Sequence, residues 1–314
     1  MKKERILQSN IDDLFERVQL QEEVSERLAV EPYSYWRSVW RQFKKKPSAM
    51  ISLAVILIVV LLAIFVPTFS KHNIDAVNYE YFTQRPNWMF WFGTDQSGRD
   101  MWTVIWTGAR TSLSIALVVS LINSVLGVVI GTIWGYFRKL DLILLEVYNF
   151  VMNIPSMLYY LILMVVFENL GLSDFMSLIL AMTITGWITL ARFIRDQVLI
   201  ISNREYNVAS RTLATPAHRI IIYNLLPYVL TVIITQISLQ IPAVIGTETS
   251  LSYFGIGLDP TAVSLGRTLS TGTSTFTTYP YLLFFPALIV GIITISFYLI
   301  GLGLADALDP KTHR

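Results

Sequence analysis

Six long apolar runs separated by polar stretches organise this 314-residue chain. They fall near 48–69, 112–136, 142–167, 175–194, 228–247 and 281–304. Each is close to the roughly 20 residues that a helix needs to cross a hydrocarbon core of about 30 Å. The pattern predicts an all-α membrane protein: a polar segment 1–47 followed by a six-span transmembrane domain, 48–314. Between the fourth and fifth runs lies a polar loop, 197–227, and between the fifth and sixth a Gly-, Ser- and Thr-rich segment, 249–279. That segment either dips part-way back into the membrane or caps the mouth of a pore.

Composition agrees with the pattern. Apolar residues make up 54% of the chain and charged residues only 15%, the balance of a multi-span membrane protein. Lys and Arg sort by side: with six spans, nineteen of the 24 fall on the side of the termini and of loop 197–227. The positive-inside rule therefore puts both termini and this loop in the cytoplasm, with the chain multi-pass in the cytoplasmic membrane. The basic residues form no nucleic-acid stripe. There is no cysteine, which excludes thiolate chemistry. The first apolar run begins too late, and is too long, for a cleaved signal peptide, so it is expected to remain as a span.

Residues 1–30 mix acidic and basic side chains and read as a cytoplasmic tail. Beyond them Tyr33, Trp36, Trp40 and Phe43 recur at helical spacing among Arg37, Arg41, Lys44, Lys45 and Lys46. This is either an amphipathic helix in the headgroup layer or an aromatic and basic flank of the first span. On the far side, Gly93-Thr94-Asp95 and Gly98-Arg99-Asp100 predict a tight, hydrogen-bonded turn.

Three features within the spans stand out. Gly127, Gly131 and Gly135, four apart, put a small-residue stripe on one face of span two; it serves either subunit contact or packing inside the chain. Pro155 predicts a kink in span three. Gln236, Gln240 and Thr247 share a face of span five, with Glu248 at its outer end. They line a water-filled translocation path or hydrogen-bond to other helices.

Catalytic signatures are missing: no phosphate loop, no H-E-x-x-H and no G-x-S-x-G. His72, His218 and His313 are far apart and outside the spans, so neither a metal site nor a catalytic triad is expected. No cofactor is expected in this chain, and it reads as non-catalytic.

Loop 197–227 reads as two short helices broken at Pro216. Glu205, Ala209 and Leu213 recur every four residues, one face with a small residue at its centre, and Glu205 and Arg211 can make directional contacts. A second apolar run, Ile220 to Leu226, leads to Pro227. The loop is either a docking surface or an unpartnered hairpin.

This loop resembles the coupling motif of bacterial ABC importer permeases, in which Glu-Ala-Ala, then Gly, then Leu-Pro mark the segment that fits a groove in the ATPase. Ala209 and Ser210 match the small pair, Leu213 the apolar residue before the glycine, and Leu226-Pro227 the end. Two positions depart. Val208 stands where the glutamate usually does, leaving Glu205, a turn earlier, to supply the acidic contact. Ala214 replaces the glycine, which disfavours a left-handed turn and predicts a relaxed or differently shaped one. The likeness runs from about residue 33 to 314. Gly93–Asp100, Gly108-Ala109-Arg110, Ile154-Pro155-Ser156, Leu251–Gly257 and Asp306–Pro310 are similar to the C-type subunit of oligopeptide permeases. The resemblance implies a type I importer fold and one of two homologous permease subunits forming a pore. Two ATPases, carrying ATP and Mg, would dock on the loops, and an extracellular peptide-binding protein would deliver oligopeptides. Dipeptides or nickel chelates are alternative cargo. A self-sufficient ion-coupled carrier and a membrane receptor or scaffold are the readings from other classes.

Overall fold

The computed structural model describes residues 35–71, 74, 77–258 and 262–308. The expectations for segment 1–30, Tyr33, His72 and His313 lie outside these residues. The chain divides into two units, 1–38 and 39–314. Of the first, only 35–38 are described; they open helix α1 (Tyr35–Lys44).

Among the described residues of the second unit, every regular element is a helix, joined by turns and one isolated β-bridge between Thr94 and Asp100. Pro47, at a first-turn position where its missing N–H goes unneeded, starts α2 (Pro47–Phe69). Phe43 of α1 is buried, close to Ala49 and Gly303, whereas Trp40 stays half exposed with the Lys44 ammonium 5.2 Å from its ring centre. Helix α3 (Met101–Tyr136) is 36 residues long, about 54 Å at 1.5 Å per residue. It starts eleven residues before the apolar run does. Asp100 caps it, accepting the Thr103 amide at 3.1 Å and the Thr103 hydroxyl at 2.7 Å. The polar residues of 101–111 hid this extension from a reading based on hydropathy. The expected turn lies just before it: the Asp95 carboxylate accepts the amides of Ser97 and Arg99 and the Arg99 Nε at 2.7–2.9 Å.

The expected third span is more than kinked. Helices α4 (Asp141–Met152) and α5 (Ser156–Asn169) meet at 90°. Proline disfavours the helical region for Ile154 and supplies no amide of its own. The Val151 carbonyl takes the Ile154 N–H instead, at 3.2 Å. At about 18 and 21 Å, neither half can cross a bilayer alone. Helix α6 (Asp174–Ser202) continues eight residues past the expected span, into the polar loop. Helix α7 (Glu205–Thr212) and the single turn α8 (Ala217–Arg219) follow, then a π-helical turn, Ile220–Leu225. Helices α9 (Leu226–Tyr253), α10 (Leu265–Ser274) and α11 (Tyr281–Leu308) complete the chain. Thus α2, α3, α6 and α11 are each long and apolar enough to cross a membrane. The α4–α5 pair and a pair bent by 59°, Ala217–Leu230 with Val232–Tyr253, raise the number of crossings to as many as six.

Helices α3 and α6 pack most extensively, and the glycine stripe is why. A Cβ on Gly127 would lie 2.8 Å from Leu190 Cδ2, on Gly131 2.5 Å from the Ala191 carbonyl oxygen, and on Gly135 2.7 Å from Val198 Cβ. The stripe faces a helix of its own chain, with backbone against backbone at Gly131. Gly131→Leu is expected to push α3 off α6 and destabilise the fold by about 3 kcal/mol or more. Fluorescence-detected size exclusion of the variant, with loss of the monodisperse peak, checks this. A buried cluster centred on Ile105, Ile115, Leu178, Ile245 and Ile293 joins the spans. A second, of Ile194, Val198, Ile220, Leu225 and Val229, seats the loop on α6 and α9.

Candidate functional site

The loop between α6 and α9 folds as a helical hairpin. Its tip closes with the backbone pattern of a helix C-terminus: Ala214 N–H donates to the Arg211 carbonyl at 3.0 Å and Thr215 N–H to the Ser210 carbonyl at 3.1 Å. The second bond requires a left-handed residue at 214, and Ala214 adopts φ of 58°. The relaxed turn expected from an alanine here is therefore not what forms, because the closing backbone bond offsets the strain of one methyl group. Ala214→Gly is expected to stabilise the tip by up to about 1 kcal/mol, read as slower amide exchange at 213–215. Pro216 then blocks continuation. In the π turn, the Leu226 N–H donates to the Ile221 carbonyl five residues back; this wider turn sits immediately before the Pro227 ring.

Helix α7 buries one polar side chain and leaves a mixed face of small, apolar and charged residues to solvent. Asn207 is buried; its amide donates to the Ile201 carbonyl at 2.9 Å, and its Oδ1 accepts from Asn224 at 3.0 Å. Arg211, expected to reach a partner, donates from Nη2 to the Ser202 carbonyl at 2.6 Å, where it closes the end of α6. The Ser210 hydroxyl donates to the Tyr206 carbonyl. Outward lie Glu205, Val208, Ala209, Leu213 and Ala214, all exposed, with Leu213 at 81%. Glu205 makes no ion pair among the described residues. Beside this face a recess of about 850 Å³ is lined by Ser210, His218, Arg219, Ile222 and Tyr223. Pro227 is exposed at the far end of the hairpin.

The span-five stripe divides. Gln240 accepts the Ser124 hydroxyl of α3 at 3.1 Å, a helix-to-helix bond; Gln236 is half-buried, and the Thr247 hydroxyl donates to its own helix at Ala243. Glu248 is fully buried.

Residues 127–314 match the family of the binding-protein-dependent transport system inner membrane component, and residues 34–86 match the N-terminal TM domain of oligopeptide transport permease C. Over 98% of its length the chain is 39% identical to the whole of the oligopeptide transport system permease protein AmiD of Streptococcus pneumoniae. It is 35% identical to the oligopeptide permease OppC of Bacillus subtilis, over 92% of this chain and 94% of that one. The dipeptide permease DppC of Bacillus subtilis is also 35% identical, over 90% of this chain and 87% of that one. The chain belongs to this family of transport permeases.

In this permease the α7 end of α6 carries a second joint, which sequence reasoning used only for its charge. Arg195 Nε donates to Asp141 Oδ1 at 2.9 Å, its Nη2 reaches both Asp141 oxygens, and its Nη1 meets Asp196 at 2.6 Å. The Trp134 indole donates to the same Asp141 Oδ1 at 2.9 Å. One carboxylate thus fastens the start of α4 to both α6 and α3. Asn207 and Asn224 were missed as well. A lone asparagine inside the apolar run 220–226 was the available signal.

Proposed function

We propose that this permease is one half of the translocation pathway of an ATP-driven importer of oligopeptides, with the hairpin and both termini in the cytoplasm. A homologous second permease completes the pathway, two ATPase subunits dock on the hairpins, and an extracellular peptide-binding protein delivers cargo. Nucleotide and Mg belong to the ATPases; this chain contributes no chemistry. The observation that carries the reading is the outward face of α7. A short helix that buries its asparagine and turns Val208, Ala209 and Leu213 to solvent has spent its polar groups on rigidity and left a small, apolar surface for a partner. Names of relatives that pair permease with oligopeptide support the cargo class.

In this reading the closing ATPase pair moves each hairpin as a rigid body, and the seated α6 and α9 carry that motion into the spans to alternate access. Gln236 and Gln240 border the path, with Gln240 exchanging its Ser124 bond as α3 and α9 shift. The test is reconstitution in liposomes with the second permease, both ATPases and the binding protein, followed with labelled peptides of graded length. Uptake is expected only with ATP and all subunits present, and stronger for longer peptides than for dipeptides. Uptake by the purified chain alone, driven by an ion gradient, would overturn it.

A further inference from the structure

Glu248, which the sequence placed on the path, does something else. Its carboxylate accepts the hydroxyls of Ser112 on α3 and Ser252 on α9, each at 2.9 Å. Ser112 is a relay: its Oγ also accepts the Leu265 N–H, the first amide of α10, at 3.2 Å. Ser264 caps the same helix, its Oγ accepting the Arg267 N–H at 3.1 Å. The first amide of α10 therefore ends on the buried carboxylate through one hydroxyl. Helix N-termini need such acceptors, and a negative charge there complements the helix dipole. The packing leaves no slack: a Cβ on Gly108 would lie 2.8 Å from the Ser264 carbonyl carbon, and on Gly266 2.6 Å from Thr249 Cα.

We propose that Glu248 is a positioning residue of the transport cycle: its buried carboxylate latches α10 across the outer ends of α3 and α9, and this latch opens and re-forms as the outer end of the path does. The inference rests on the permease reading above. Its chemistry is specific. A carboxylate only accepts, and hydroxyls from two helices donate to its two oxygens; a carboxamide of the same shape would set its NH₂ against one of them and lose that bond. Charge, rather than shape, is what the site requires.

The chain has no cysteine, so Gln96→Cys and Thr273→Cys, both at exposed positions, can carry spin labels that report α10 against the turn before α3. The measurement uses the full complex with cysteine-free partners in lipid nanodiscs. Glu248→Gln is expected to add a displaced distance population at rest and to lower ATP-dependent uptake roughly tenfold or more. Ser112→Ala, which removes the link between Glu248 and α10, is expected to give the same displacement at lower occupancy. Glu248→Asp, which keeps the charge and loses a methylene, is expected to transport better than Glu248→Gln. A residue that merely fills space gives the opposite ranking, and that ranking overturns the proposal. So do unchanged label distances in Ser112→Ala, which decides the matter should Glu248→Gln fail to assemble. A displaced α10 with undiminished uptake also overturns it. Absence of uptake by the unaltered complex would instead defeat the permease reading, and the label distances would still judge the latch.

Discussion

A complex carrying Glu205→Lys is expected to insert and assemble its spans normally yet lose binding-protein-stimulated ATP turnover by about tenfold or more. The side chain is exposed on the first residue of α7 and makes no ion pair among the described residues, so the fold has little stake in it. A surface change of this kind shifts stability by roughly 0.5 kcal/mol or less. The same reversal within a docked interface opposes like charges and costs several kcal/mol, and each 1.4 kcal/mol is about a factor of ten. Glu205 is the only carboxylate on α7. Turnover measured in proteoliposomes, alongside the yield of assembled complex, separates coupling from folding. Undiminished turnover would count heavily against the docking role.

The second large effect is expected at Arg195. Its side chain is only 12% exposed and meets two carboxylates, whereas Asp141 retains 32% exposure. Removing one partner of such a pair strands the other, at a cost of about 2–4 kcal/mol, towards the lower end because water still reaches Asp141. Arg195→Gln and Asp141→Asn should each speed amide exchange in α4 by roughly 30-fold or more, while the double variant should fall well short of their sum. Strict additivity would show that the two residues are not coupled. Loss of this joint is also expected to leave ATP turnover running with less transport, since α4 and α5 would no longer follow α6.

Much of this architecture was legible in the chain because hydropathy reports directly on lipid contact. The start of α2 at Pro47 and the end of α3 at Tyr136 could be read to within a residue. The other end of α3 could not: Thr103, Thr107, Arg110 and Thr111 look like loop residues, but three of the four bond to a helix carbonyl or cap. The right angle at Pro155 was underestimated because proline marks a break and says nothing of its size. At the hairpin, the exposed positions were legible from their four-residue spacing, and the direction of Arg211 was not. Whether a charged side chain turns to a partner or back to a carbonyl depends on tertiary placement. Glu248 shows the same limit: a lone acid among small polar residues announces that it matters, and only packing reveals that it faces α10.

Helix α3 bears Ser112 near one end and Trp134 near the other, 22 residues or about 33 Å apart along a continuous rod. The first touches Glu248 and the second Asp141. No loop, hinge or internal proline interrupts the span between them. In the proposed importer, a tilt imposed at the Asp141 joint would therefore carry along α3 to the Glu248 joint, as on a seesaw whose plank does not flex.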